Sequence, residues 1–192
     1  MPVGELIPKV VSVNVGRPQE LVLGDRLITT SIFKTPVDGP VRVNRLNIEG
    51  DQQSDLRVHG GVRKAVYVYP SEHYEFWRAH LQGSDLEWGA FGENITTLGL
   101  IETTTHIGDT LRIGTAILQV TQPREPCFKL ALKFGQRNMI KRFLESQRSG
   151  FYLRVVREGQ VCSGDDIALV SRDGEQPTVA ELFRRLTSDN ND

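Results

Sequence analysis

Apolar residues along this chain fall in short runs broken by glycine or polar turns, not in long helical stretches. Residues 10–15, 31–34, 41–46 and 65–69 are β-branched or aromatic runs of strand length. Pro36, Gly39 and Pro40 favour a turn between the second and third. Beyond Gly89 come shorter strand signals at 94–97, 110–113 and 116–121, and Gly114–Thr115 between the last two marks a hairpin. Residues 152–157 and 167–170 complete the set, with Glu158–Gly159 as a turn after the former.

Helical spacing is confined to four places. Over 72–81, Tyr74, Trp77 and Leu81 share one face, Ser71 stands at the N-cap position, Glu72 opposes the helix dipole and Gly83 is a stop. Residues 128–132 are helical in pattern, and 138–145 present Met139, Ile140, Phe143 and Leu144. Residues 178–186 present Val179, Leu182, Phe183 and Leu186. Strand and helix do not alternate regularly, which excludes a doubly wound sheet. The expected fold is mostly β: a barrel-like domain with a few peripheral helices and a short C-terminal helix. Residues 1–172 form the expected barrel domain, and 173–192 a helical extension with a frayed polar end.

Composition narrows the function. With 192 residues the chain can bury a core without a disulfide scaffold. Two cysteines, Cys127 and Cys162, and no CxxC pair agree with that. A net charge of −1 gives no support to broad nucleic-acid binding, so no stable nucleic-acid complex is expected. The start lacks a signal-peptide pattern and no run is long enough for a membrane span, so the expected compartment is the cytoplasm.

Three segments can carry chemistry. In QPREPCFKL, Cys127 follows Pro126 and precedes a helical run, where helix amides stabilise a thiolate; Arg124 and Lys129 add positive charge. A thiolate is a soft metal ligand and a nucleophile, whereas a buried inert cysteine is the plainer alternative. In DLRVHGGVRKAVYVY, His59, Gly60, Gly61, Arg63 and Lys64 suit an oxyanion, or else a glycine hairpin with solvated charges. In FGENITTLGL, Glu93 and Asn94 can hydrogen-bond a heterocycle or merely hold a turn. His73, His80 and His106 lack metal-ligand spacing, and His73 and His80 are expected at the surface or an interface.

Together these segments resemble the MOSC domain family, named for the C-terminal domain of molybdenum cofactor sulfurases, and in particular its stand-alone YiiM-like branch. The resemblance runs from about Val41 to Leu186 and includes IGDTLRIGTAILQVTQPREPCFKL, SGFYLRVVREGQVCSGDDIALV and PTVAELFRRL. It implies a β-barrel and a molybdenum cofactor (molybdopterin). Cys127 is then the molybdenum ligand or a sulfur carrier. Arg124, Lys64, Gly60, Glu93 and Asn94 are expected at the cofactor, with Cys127, His59 and Lys64 as catalytic groups and His59 as a proton donor. The branch typically ends in three helices; here one is visible, a remnant of that accessory domain.

The implied activity is reduction of N-hydroxylated compounds, such as purine analogues, to amines, with a separate electron-donating reductase. Two alternatives remain open at this level: a carrier using a Cys127 persulfide, and a non-catalytic pterin-cofactor binding module. A homodimer is a further expectation.

Overall fold

The computed structural model describes residues 7–52, 60–81 and 85–188. The strands are β1 (Lys9–Val15), β2 (Gln19–Leu23), β3 (Arg26–Thr30), β4 (Thr35–Pro36), β5 (Val41–Asn44), β6 (Asn47–Ile48), β7 (Val66–Pro70), β8 (Ile95–Leu98), β9 (Thr110–Ile113), β10 (Ala116–Pro123), β11 (Phe151–Arg157), β12 (Gly159–Val161) and β13 (Ile167–Ser171). The helices are α1 (Glu72–His80), α2 (Phe128–Phe134), α3 (Met139–Ser146) and α4 (Val179–Ser188).

Eight strands form one mixed sheet in the order β13-β9-β10-β11-β7-β8-β1-β4, with β7 and β8 parallel and the other pairs antiparallel. The expected barrel is met only in part, because among the described residues no continuous ladder closes the sheet. Strand β1, next to the β4 end, instead meets the β13 end through short backbone contacts: Val10 N–H to the Asp165 carbonyl (2.9 Å), Gly164 N–H to the Val10 carbonyl (2.8 Å) and Ile167 N–H to the Pro8 carbonyl (2.7 Å). Two small sheets, β12-β5-β6 and β2-β3, complete the β structure.

Strand β7 divides two cores. All five of its residues are buried, so it is covered on both faces. Val66 and Val68 point into the aliphatic interior with Val10, Ile95, Leu118 and Leu153. Tyr67 and Tyr69 point the other way, into an aromatic layer with Tyr74, Trp77, Phe91 and Phe143. Helices α1, α2 and α3 supply much of that layer, which gives the peripheral helices their seat. Each large side chain buried there contributes about 1.5–3 kcal/mol. The Trp77 indole N–H also donates to the Tyr69 hydroxyl at 2.7 Å, so the polar edge is satisfied inside the layer.

Several local expectations change. Residues 31–34 are not a strand: Lys133 donates to the Ile32 carbonyl (2.9 Å) and Lys34 N–H bonds the same oxygen (3.1 Å), so the segment is held without a neighbouring strand. The hairpin β2-β3 precedes it, and most of its residues are exposed. Ser71 precedes α1 but makes no side-chain cap, and the Gly83 stop lies outside the described residues. Helix α4 opens with a reciprocal capping box: Glu181 N–H to Thr178 Oγ1 (3.1 Å) and Thr178 N–H to the Glu181 carboxylate (2.8 Å). Its Val179 is fully buried in the aliphatic core. No helix among the described residues is long and apolar enough to cross a membrane.

Candidate functional site

Cys127 stands where β10 gives way to α2. Its extended backbone (φ −123°, ψ 169°) makes it the N-cap residue, and its carbonyl accepts the Leu130 N–H at 2.9 Å. The side chain is half-buried, and neither cysteine is in a disulfide. Cys127 lines a cleft open to solvent together with Lys64, Asn94, Arg124 and Lys129. The fold thus joins residues from the HGG, GEN and PREPC segments.

Each comes from a different support. Gly61 (φ 91°) opens the single helical turn Val62–Lys64, which β10 holds through the Thr121 hydroxyl on the Arg63 carbonyl (2.6 Å). Lys64 Nζ lies 5.9 Å from the Tyr152 ring centre. Gly60 does not line the cleft. His59 lies outside the described residues. Asn94 faces the cleft but is already engaged: its Oδ1 accepts Tyr67 N–H (3.1 Å) and its Nδ2 donates to Asp51 (2.9 Å).

Arg124 is 6% exposed. Its guanidinium donates to the Phe91 carbonyl (2.7 Å) and the Tyr67 hydroxyl (3.4 Å), and lies 4.7 Å over the Tyr67 ring. Burial opposes this cation, yet the pull of Tyr67, Tyr152 and Cys127 leaves its pKa above the usual arginine value. Burial pushes the Tyr67 and Tyr152 hydroxyls up, against the opposing effect of Arg124. Both phenols therefore stay neutral, and Arg124 stays charged, at ordinary pH.

Glu93 stands apart from the cleft to which the resemblance assigns it. Its carboxylate is fully buried and does not line the cleft. It accepts Gly89 N–H (2.9 Å), Phe91 N–H (3.0 Å), the Thr96 hydroxyl (2.9 Å) and the Tyr74 hydroxyl. Its donors come from the turn itself, from β8 and from α1, so it holds the turn that presents Gly92 and Asn94. His73 also departs from expectation: its side chain is 13% exposed and bonds Glu102 at 2.7 Å, while His80 is exposed as expected.

The structure adds groups that spacing did not single out. Lys34 and Asp51 form a buried ion pair lining the same cleft. Tyr67, Tyr152 and Ser31 line it as well. The Ser31 hydroxyl is buried and has no hydrogen-bond partner among the described residues. Behind the cleft, Lys133 donates to the Ile32 and Gly89 carbonyls (2.9 and 2.8 Å), and burial lowers its pKa to about 8 against the attraction of Glu93.

A half-buried cysteine that lines one cleft with several cations suits an anionic, thiophilic metal group. Among the described residues, no three His, Cys, Asp or Glu side chains gather to hold a metal ion. The cleft measures about 90 Å³. That is below the ~300 Å³ at which pockets take a whole drug-sized ligand, so it accommodates only part of a pterin-sized group. On donor chemistry, and on the unpartnered Ser31 hydroxyl, the residues fit such a cofactor.

Residues 55–168, more than half of the chain, match the family model described as MOSC domain. The chain belongs to the MOSC domain family. Its relatives include the YiiM and YflK proteins. It is 45% identical to the uncharacterized protein YflK of Bacillus subtilis over 92% of this chain and 79% of that one. The crystal structure of YiiM from Geobacillus stearothermophilus matches with a TM-score of 0.79 at 37% identity, covering 96% of this chain and 86% of that one. A protein of Gibberella moniliformis named a reductase is 35% identical over 94% of this chain, which spans only 32% of that longer protein.

Proposed function

We propose that this chain binds a molybdenum–pterin cofactor through Cys127 and reduces N-hydroxylated compounds, such as purine analogues, to amines. The observation that carries the reading is the convergence of Cys127 with Lys64, Arg124 and Lys129 on one cleft. The name of the fungal relative supports a reductase class.

In this reading Cys127 holds the metal, and the lysines and Arg124 face the anionic groups of the cofactor. When bound, the cofactor would supply two-electron reducing chemistry. The chain's own contribution is ligation, charge and orientation. Arg124 is preorganised: its stacking on Tyr67 and its bond to the Phe91 carbonyl fix the guanidinium before any ligand arrives. Tyr67 is fixed in turn by its hydroxyl on the Ser149 carbonyl (2.8 Å). Electrons come from a separate reductase.

The test is protein made in a cofactor-competent host, assayed for molybdenum and pterin and then for reduction of an N-hydroxylated base analogue by a reduced viologen dye. Stoichiometric loading with turnover supports the proposal. Loaded protein that reduces no N-hydroxylated substrate refutes it, and a labile sulfur on Cys127 without metal, seen by mass spectrometry, turns the reading to sulfur carriage.

A further inference from the structure

The cleft holds a pair that cofactor binding leaves unused. Lys34 and Asp51 have side chains only 8% and 1% exposed, yet both line the cleft. Asp51 is locked by more than Lys34: Gly16 N–H donates to one carboxylate oxygen (2.8 Å) and Asn94 Nδ2 to the other (2.9 Å). Three residues before Lys34 in sequence, the Ser31 hydroxyl lines the same cleft, buried and without a hydrogen-bond partner among the described residues. An unpartnered buried hydroxyl is unfavourable in an empty protein and is resolved when a ligand supplies the missing bond.

We propose that Lys34, backed by Asp51, is the proton donor of the reductive step, and that Ser31 holds the oxygen that leaves. The proposal rests on the reductase reading of the cleft. The reaction is R–NH–OH + 2 H⁺ + 2 e⁻ → R–NH₂ + H₂O. The N–O bond breaks, and nitrogen takes up the electron pair that the external donor delivers by way of the cofactor. The Lys34 ammonium gives its proton to the departing hydroxyl, which leaves as water. Solvent supplies the second proton to nitrogen and then restores Lys34. Asp51 stays ionised and keeps the amine aimed at the cleft.

The surroundings suit that role. Burial lowers the Lys34 pKa, and Arg124 adds to the effect, while Asp51 and Glu93 oppose it. Lys133 behind the cleft and Lys64 and Lys129 along it are further cations of this environment. A lysine so placed gives up its proton more readily than one in water, yet Asp51 restores the charged form between turnovers.

The decisive variant is Lys34→Arg, which keeps a cation for Asp51 but does not release its proton. Wild type, Lys34→Arg and Lys34→Met are loaded with cofactor and assayed for kcat and KM across pH, with a hydroxylaminopurine as substrate and reduced viologen as donor. Molybdenum content and thermal unfolding are measured on the same samples. Lys34→Arg is expected to fold and load like wild type, to change KM little, and to lose kcat by about 100-fold or more. The alkaline fall in wild-type kcat should be missing from the arginine variant. Independently of turnover, side-chain NMR of the cofactor-free chain should show Lys34 titrating below the surface lysines.

Retention of wild-type kcat and its alkaline limb in Lys34→Arg overturns the proton role while leaving the reductase reading intact. So does a Lys34 resonance that titrates with the surface lysines. Loaded wild type with no turnover overturns the reductase reading, and the proton role with it.

Discussion

Replacing Glu93 by glutamine leaves the side chain's shape almost unchanged, which makes it a clean probe of the turn that presents Asn94. One carboxylate oxygen of Glu93 accepts Gly89 N–H, the Thr96 hydroxyl and the Tyr74 hydroxyl, and the other accepts Phe91 N–H. Glutamine keeps one acceptor and replaces the other with an amide donor. In either orientation a buried backbone N–H then faces another donor. Losing one charge-assisted bond costs about 1.5–3 kcal/mol, and stranding its N–H about 1–3 kcal/mol more. The expected destabilisation is therefore about 3–5 kcal/mol. In a domain of this size it lowers the melting temperature by about 10 °C. Urea unfolding followed by circular dichroism measures it, with an unchanged m-value as the check that only stability moved. A loss below about 1 kcal/mol would refute the four-donor anchor. A stable Glu93→Gln protein that fails to retain cofactor would return Glu93 to the role of a ligand.

Two further substitutions probe the supports. Gly150 has φ 60°, and a Cβ there would lie 2.4 Å from the Val68 carbonyl oxygen and 2.8 Å from ring carbons of Tyr67 and Tyr69. Gly150→Ala should cost about 2–5 kcal/mol from left-handed strain plus overpacking, and wild-type stability in urea would contradict this. Lys133 has a folded pKa of about 8, below the ordinary 10.5. Between those values the unfolded chain binds more protons, so this group makes stability rise with pH across that window, by about 3 kcal/mol at most. The penalty on the charged form is fully present below about pH 8. Unfolding of wild type and Lys133→Met at several pH values should show the rise in the difference between them. A difference that does not vary with pH would count against the burial of a charged Lys133.

Much of this architecture was readable from residue patterns, for identifiable reasons. The runs behind β7, β9, β10 and β11 are strongly apolar or β-branched, and the hairpin at Gly114–Thr115 was marked by its turn. The hairpin β2-β3 escaped because it is exposed along both strands and has no buried face to impose alternation; the Gly24–Asp25 turn was its available signal. Residues 31–34 carry a misleading pattern, because SIFK is apolar enough for a strand, while the lysine that holds them lies 101 residues from Ile32. Cys127 was legible because a proline-flanked cysteine at the start of a helical run is a local pattern. Lys34–Asp51 was not, because nothing in a 17-residue separation says that the two side chains meet. Tyr67 and Tyr152 read as ordinary strand aromatics, and only the fold brings their rings within 5.3 Å of each other, with Arg124 over Tyr67. Glu93 reads as polar and available in sequence, whereas folding turns the nearby Gly89 and Phe91 amides and the distant Tyr74 hydroxyl onto its carboxylate.

The most direct measurement for the cofactor assignment is the molybdenum content of wild type and Cys127→Ser, both purified from a cofactor-competent host and both shown to be folded. Wild type should carry about one molybdenum per chain, and the serine variant, which lacks the soft thiolate donor, should carry little. Equal molybdenum in the two folded proteins would contradict the assignment of Cys127 as the metal ligand.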